Sequence, residues 1–205
     1  AAAAAPGAAA GQVLTDEDFE TIEVEKAGDL PVNVSYPDLA PLPAALELEL
    51  TTRMKRFLRV DEVWSADMVG AHDGDCVVGL VAPEVVSIAC RHLIDARTKA
   101  QAAAGTIGAP GDYTRAAFTY WRETGLPSID PAELVGADRL KRLCGDAARP
   151  MVVLDGDGLR WVPDDNHVAP AGCPDGVEWS DMEPASPRAR ALLVRVSPAA
   201  RTPPP

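Results

Sequence analysis

Both ends of the chain are low-complexity sequence, and this confines a folded core to the middle of the chain. Residues 1–11 are alanine, glycine and a single proline, and residues 202–205 read Thr-Pro-Pro-Pro. Such segments bury too little apolar surface to repay the entropy lost when they become ordered. We therefore predict an extended N-terminal arm over residues 1–42, a core over residues 43–162, and a Pro-rich wrapping segment over residues 163–205.

The composition is acidic and poor in aromatic side chains. The 205 residues include 31 Asp or Glu and 19 Lys or Arg, which gives a net charge of −12, and aromatic residues make up 5%. This balance argues against direct nucleic-acid binding, because such binding depends on neutralising phosphates with Lys and Arg. A local basic cluster is expected at the C-terminal end of a helix, where cations favour the dipole. The cluster contains Arg53, Lys55, Arg56 and Arg59.

The cysteines and the first residue bear on the compartment. Cys76, Cys90, Cys144 and Cys173 are far apart, and none forms a CxxC pair. We therefore predict free thiols in a reducing compartment, with one disulfide as the alternative. The chain begins with alanine rather than methionine, which suggests a processed N terminus and an organelle interior as the location. Cleavage from a polyprotein is the alternative. No apolar run reaches the ~18 residues that a membrane-spanning helix requires.

Periodicity and turn residues predict the elements of the core. An apolar stripe at helical spacing indicates a helix near residues 43–58, and apolar residues on one half of a helical wheel indicate a longer helix over 83–104. Glycine and aspartate clusters mark two hairpin turns, at residues 70–75 and 155–158. Two shorter helices are predicted over 112–124 and 131–144, and a final strand over 191–196. Residues 27–43 are predicted to be an extended linker because they contain four prolines.

These elements predict an α+β fold with an antiparallel or mixed sheet and helices packed on one side. Hairpins that are adjacent in sequence favour an antiparallel sheet, whereas the apparent passage from a strand at 76–81 into a long helix favours a mixed α/β sheet. The α+β class is preferred, with extended arms at both ends.

Three clusters contain side chains that could bind a metal or act in catalysis. His72-Asp73-Gly74-Asp75-Cys76 could hold a divalent ion, but neighbouring residues of an extended chain point in different directions, so a turn is preferred. Asp155-Gly156-Asp157-Gly158 resembles the start of a calcium loop but lacks its later ligands, so a hairpin turn is preferred there too. Asp164 to His167 is interpreted as a solvated acidic loop, and His92 as a surface histidine. No cofactor or metal site is predicted.

The four tryptophans are the main candidates for an interface. Tryptophan combines a large contact area with an indole donor, and it anchors many protein interfaces. Trp64 and Trp161 are expected in the core. Trp179 with Val177, in a Pro-rich segment, and Trp121, on the predicted helix at 112–124, are the candidate interface residues.

The sequence suggests three hypotheses about function. The first is a non-catalytic structural or accessory subunit of a larger macromolecular complex, which holds other protein subunits through its extended ends. The second is a small metal-dependent hydrolase-type enzyme that uses His72 or His167. The third is a viral coat or cement protein. The first is preferred because no catalytic motif is recognisable.

Overall fold

The computed structural model describes residues 12–105, 112–123, 125–145, 151–162 and 173–197. The fold is α+β, as the sequence predicts: a mixed five-stranded sheet and a separate three-stranded sheet are combined with several helices. The strands are β1 (Thr21–Lys26), β2 (Val32–Pro37), β3 (Met68–Val81), β4 (Val85–Thr98), β5 (Asp112–Trp121), β6 (Val152–Leu154), β7 (Gly158–Trp161) and β8 (Gly176–Glu178). The helices are α1 (Ala44–Phe57), α2 (Lys99–Ala103), α3 (Pro131–Val135), α4 (Ala137–Cys144) and α5 (Pro187–Val196).

The larger sheet has the order β1-β2-β3-β4-β5, and the smaller sheet has the order β6-β7-β8. β1 and β2 form an antiparallel pair, while β2 and β3 are parallel, with α1 in the connection between them. β3 and β4 are joined by a tight turn in which Ala82 and Val85 exchange backbone hydrogen bonds of 2.9 and 3.2 Å. The strands β1 and β2 therefore belong to the sheet, although residues 27–43 were predicted to be a linker.

The chain divides into two compact units. Unit 1 contains Phe19–Val77 and Cys90–Ala116, and unit 2 contains Val78–Ala89 and the chain from Ala117 onward, together with the residues that lead up to Asp18. In unit 1, α1 buries Leu50, Met54 and Leu58 completely. Unit 2 has a core of its own, built by the smaller sheet and the helices α3 to α5.

The structure confirms several of the predicted elements. The helix near residues 43–58 is α1, and its last turn carries Lys55 and Arg56 as expected from the dipole. The single helix predicted over 131–144 is two helices, α3 and α4, divided at Gly136; its predicted ends are confirmed, because Asp130 caps α3 by accepting a hydrogen bond from the Ala132 N–H and α4 ends at Gly145. The turn at residues 155–158 joins β6 to β7 as predicted. Asp155 Oδ1 stabilises it by accepting hydrogen bonds from the backbone N–H groups of Asp157 and Gly158.

Four predicted elements are wrong. Residues 83–104 are mostly the strand β4, whose buried residues on one face recur every second position, and only α2 at the end is helical. Residues 112–121 are the strand β5, and residues 187–196 are the helix α5, capped by Ser186 with Pro187 in its first turn. The predicted turn at 70–75 lies inside the single long strand β3.

The prediction of free thiols is also wrong. Cys76 on β3 is bonded to Cys90 on β4, and Cys144 at the end of α4 is bonded to Cys173. Both pairs join residues that secondary structure brings to within 4.3 Å between their Cα atoms, although they are 14 and 29 residues apart in sequence. Disulfides persist in oxidising compartments, so the predicted reducing compartment loses its support.

No helix among the described residues is long and apolar enough to cross a membrane.

Candidate functional site

The three residues predicted to form an interface lie in the core of unit 2. Val177 on β8 and Trp179 just after it are each 5% exposed, and Trp121 at the end of β5 is 1% exposed. The indole of Trp179 donates a hydrogen bond to the Asp155 carbonyl at 3.1 Å, and the Arg188 guanidinium lies 4.6 Å from the Trp121 ring centroid. Contact with another chain stays a prediction for these residues, but their surfaces are already covered by their own chain.

Trp179 also forms part of the wall of a cleft of about 460 Å³ in unit 2, which Asp157, Arg160, Glu178 and Ser180 help to line. The guanidinium of Arg160 is bonded to Asp155 at 3.0 Å and lies 3.7 Å from Asp157. Because the Arg160 guanidinium is already paired with carboxylates, the described lining of this cleft offers little to an anionic ligand. Of the predicted wrapping segment, the structure describes residues 173–197, and these belong to unit 2.

In unit 1, one face of the five-stranded sheet carries two rows of polar side chains on β1, β2 and β3. Residue pairing across the strands places Glu25 opposite Asn33 and Asn33 opposite Asp73, in one row. The next row joins Glu23, Ser35 and Asp75 in the same way. In each row a short polar side chain on β2 lies between two carboxylates on β1 and β3, which are about 10 Å apart because neighbouring strands are separated by about 4.8 Å. We call these six residues the acidic rows.

The charge of the acidic rows is mostly uncompensated. Glu23, Glu25 and Asp73 are exposed, and none has an ion-pair partner among the residues that the structure describes. Asp75 is the exception, because its Oδ1 accepts a hydrogen bond of 2.6 Å from Arg91 Nε on β4. That hydrogen bond raises the pKa of Arg91, so Arg91 stays charged and closes one end of the second row.

The other face of this sheet carries a buried histidine cluster beneath the end of α1. His72 on β3 is fully buried, and His92 on β4 is 8% exposed. Their ring centroids lie 6.2 Å apart, and the His92 ring stacks on Phe57 at 4.6 Å. His92 Nδ1 lies 2.8 Å from the Phe57 carbonyl oxygen. Both histidines occupy the face of the sheet that also buries Cys76 and Cys90.

Gly74 gives α1 room to approach this cluster. A Cβ atom on Gly74 would lie 2.9 Å from Leu58 Cδ2 and 3.0 Å from the Cβ atom of His92. The glycine at this position in β3 therefore lets the end of α1 pack directly over the two histidines.

Arg59 and Trp64 cover the cluster from the turn that follows α1. The backbone N–H of Val60 is bonded to the Lys55 carbonyl at 3.1 Å and that of Arg59 to the Arg56 carbonyl at 3.3 Å, which is the hydrogen-bond pattern of a Schellman motif. Arg59 has a φ of +52° at the position where such motifs usually place glycine. Its guanidinium lies 5.9 Å from the Trp64 ring centroid, and Trp64 meets the His72 ring edge-on at 5.9 Å.

Alternation along β3 explains why the residues from His72 to Cys76 do not form a metal site. His72 and Cys76 point into the core, whereas Asp73 is exposed with the acidic rows. No group of three His, Cys, Asp or Glu side chains that could hold a metal ion occurs among the described residues. His167 lies outside the described residues. His92, which was predicted to be a surface histidine, is instead buried because it lies on a strand rather than a helix.

The acidic rows could not be found from the sequence. Their residues belong to three segments that are separated by more than 30 positions between β2 and β3, and only the parallel pairing of Val32 with His72 brings them together. The buried histidine has a weak local signal, because His72, Cys76, Val78 and Leu80 alternate with more polar residues as a half-buried strand requires.

Comparisons with known proteins identify no relative. No family model matches the sequence, and no curated protein matches it. Among solved structures, the crystal structure of a member of the DUF3298 family from Bacteroides fragilis is similar to this chain with a TM-score of 0.40 and 9% sequence identity. The match covers 87% of this chain and 96% of that chain. At this level of similarity neither fold nor function is transferred.

Proposed function

We propose that the chain is a non-catalytic accessory subunit of a larger complex, and that it binds a basic protein partner through the acidic rows. The observation that supports this most directly is the strand register, which places Glu25, Asn33 and Asp73 in one row and Glu23, Ser35 and Asp75 in the next. Three of the four carboxylates are exposed and without a cationic partner in the described part of the chain.

The spacing of the rows fits an extended basic segment. Residues two positions apart on a strand are separated by about 6.6 to 6.8 Å, and this is the distance between the two rows along β1. A partner segment in extended conformation with Lys or Arg at alternate positions repeats its charges at the same distance. Asn33 and Ser35 lie between the carboxylates, where their side chains would hydrogen-bond the backbone or the ammonium groups of such a segment.

The disulfides support a place of action in an oxidising compartment. All four cysteines are paired, and paired cysteines of this kind are typical of secreted proteins and of oxidising lumens. This replaces the reducing interior that the cysteine spacing suggested. An organelle lumen, if it is oxidising, stays compatible with the pairing.

The enzyme hypothesis names His72 or His167, and His167 lies outside the described residues, so the structure bears only on His72. His72 is fully buried, so its ring does not reach a substrate in the structure as it stands. Binding through the acidic rows requires no such exposure.

Binding to a synthetic probe tests the proposal. The probe is an extended peptide with lysine at alternate positions and alanine or threonine between them, and its dissociation constant is measured by calorimetry at low salt. The triple variant Glu23→Gln, Glu25→Gln, Asp73→Asn removes three charges from the rows. The matched control Glu17→Gln, Glu178→Gln, Asp61→Asn removes three exposed charges elsewhere, so both proteins have the same net charge.

We expect the triple variant to weaken binding at least tenfold and the control to weaken it by no more than about threefold, because attraction to the net charge alone is shared by both. Binding by the parent protein should also weaken with added salt. Equal affinities of the two triple variants would overturn the proposal.

A further inference from the structure

His72 is an ionisable side chain in the core of unit 1, and it is fully buried. Among the described residues, neither Nδ1 nor Nε2 has a hydrogen-bond partner of normal geometry, and the buried indole nitrogen of Trp64 beside it has none either. Buried polar groups in native proteins are nearly always paired, so an unpaired ring of this kind requires an explanation.

The groups that face His72 make its protonation unfavourable. From β4 it faces His92 at a ring distance of 6.2 Å, and from the turn after α1 it faces Arg59 and Glu62. Glu62 is the one carboxylate in this set, and it lies 3.5 Å from the Arg59 guanidinium with 40% of its side chain exposed. From the neighbouring strands it lies in one row with Val32 on β2 and Lys26 on β1, and Lys26 Nζ donates a hydrogen bond to the Val60 carbonyl in the turn after α1.

A protonated His72 would therefore be a cation in an apolar site with a second histidine and an arginine nearby. Such a charge is relieved when the site opens to water. The turn that carries Arg59 and Trp64 consists mostly of exposed residues. Arg59 already has an unfavourable left-handed backbone conformation. Opening that turn would hydrate the His72 ring and separate it from Arg59.

We propose that His72 is a pH-sensitive switch. Its protonation releases the turn that carries Arg59 and Trp64, together with the end of α1, from the sheet of unit 1. At neutral pH the uncharged ring packs against Trp64 and His92, and the turn stays packed on the sheet. In mild acid the ring takes up a proton from solvent, and the turn moves away so that water reaches the ring. The proton is lost again when the pH rises, so the step is reversible.

The direction of the pH dependence follows from the folded and unfolded states. Burial, together with His92 and Arg59, lowers the pKa of His72 below its ordinary value of 6.5, and Glu62 and the Leu58 backbone oppose this only in part. The folded state therefore binds fewer protons than the unfolded state. The stability that depends on neutral His72 is fully present above pH 6.5 and is lost as the pH falls from 6.5 towards the folded pKa.

The experiment compares unfolding by urea at pH 7.5 and pH 5.0 in the full chain. One proton taken up at an ordinary pKa of 6.5 raises the unfolding equilibrium constant by up to about 30-fold at pH 5.0. We expect a rise of this order in the parent and a rise at least fivefold smaller in His72→Leu, which keeps the volume but does not titrate. Glu17→Gln, at an exposed position, is the control, and its rise should match that of the parent.

Two further measurements keep the test decisive if His72→Leu does not fold. His72→Gln is a second variant without a titrating ring. In the unmodified protein, NMR should show a His72 ring midpoint below 6.5, and the backbone amides of residues 57–64 should shift with the same midpoint. A ring midpoint at or above 6.5, amides that do not follow it, or an undiminished pH effect in the folded variants would overturn the proposal.

Discussion

Ser87 and Thr119 show how much of the structure of unit 2 depends on single hydroxyl groups. Ser87 on β4 is fully buried, and its Oγ lies 2.9 Å from Thr119 Oγ1 on β5. Ser87 Oγ accepts a hydrogen bond from the Leu154 backbone N–H, and Thr119 Oγ1 donates one to the Val152 carbonyl. The two side chains thus provide hydrogen-bond partners for backbone groups at the outer edge of β6, which would otherwise be buried without partners.

Removing the Ser87 hydroxyl should therefore be costly. Ser87→Ala leaves the Leu154 N–H buried without an acceptor, and we expect a loss of about 1 to 3 kcal/mol in the free energy of unfolding. Denaturant unfolding provides the measurement, with the exposed Ser65→Ala as the matched control. A Ser87→Ala variant as stable as Ser65→Ala would show that the hydroxyl bridge contributes nothing.

Neighbouring residues of β4 should respond in opposite ways to truncation. Leu93 is 39% exposed and Ile94 is 8% exposed, because successive side chains of a strand point to opposite faces. We expect Ile94→Ala to cost about 2 to 5 kcal/mol, and Leu93→Ala to cost about 0.5 kcal/mol or less. Thermal unfolding of the two variants checks this. A larger loss of stability from Leu93→Ala than from Ile94→Ala would support the helix that the sequence predicted for residues 83–104.

At the scale of elements, the sequence predicted those that carry strong local signals. The apolar stripe of α1, the Asp130 cap of α3 and the turn between β6 and β7 were each predicted correctly, because caps and turns are decided by neighbouring residues. β4 was mistaken for a helix because alanines at positions 89, 96 and 100 completed an apolar half of a helical wheel. The alternation of Val86, Ile88, Cys90, His92 and Ile94 was the better signal.

For α5 the error is the opposite, because a helix was mistaken for a strand. Ala191 to Val196 was predicted to be a strand because it is apolar and contains valine. The Ser186 side chain accepts a hydrogen bond from the Ala189 N–H at 3.2 Å, and Pro187 occupies the first turn of α5. These are standard signals for the start of a helix. The acidic rows had no local signal at all, because a parallel strand pairing is decided by tertiary structure.

An ion-pair network should make the packing of α5 on α3 sensitive to acid. Arg188 on α5 is bonded to both carboxylate oxygens of Glu133 on α3, at 2.9 and 2.8 Å, and it also contacts Glu123. The hydrogen bonds from Arg188 lower the pKa of Glu133 below its ordinary 4.5. The folded state therefore binds this proton less readily, so the contribution is present above pH 4.5 and is lost as the pH falls through the folded pKa.

Glu133→Gln should accordingly lower stability at pH 6 and make the decline between pH 5 and pH 3 shallower than in the parent. The exposed Glu17→Gln is the control and should leave that decline unchanged. Thermal midpoints across this pH range provide the measurement. A Glu133→Gln variant with the parental decline would show that the pair does not contribute.

At the scale of the whole molecule, the two disulfides limit the unfolded state of both units. Cys76–Cys90 lies within unit 1, and Cys144–Cys173 encloses β6 and β7 in unit 2. Reagents for free thiols should therefore find none in the unfolded, unreduced protein. Four reactive thiols would instead support the reducing compartment that the cysteine spacing suggested.

The longer link should contribute more stability than the shorter one. A closed loop of about 29 residues corresponds to about 3 to 4 kcal/mol in the chain-entropy account. We expect the double variant Cys144→Ala, Cys173→Ala to lose roughly that amount in denaturant unfolding. Selective reduction of the Cys144–Cys173 disulfide in the parent protein serves as the control. A loss of well under 1 kcal/mol in the free energy of unfolding, in both the double variant and the reduced protein, would contradict the expected contribution of this disulfide.

The central claim is that the acidic rows bind a basic segment of a protein partner. The NMR signals of the Asn33 side-chain amide test this binding most directly. Asn33 lies between Glu25 and Asp73, and the chain has one other asparagine, Asn166. NMR spectra are recorded while the alternating-lysine peptide is added. We expect the chemical shifts of the Asn33 side-chain amide to change in a saturable way while those of the exposed Gln101 stay constant. An Asn33 amide that does not move at saturation, or shifts concentrated elsewhere, would contradict the account.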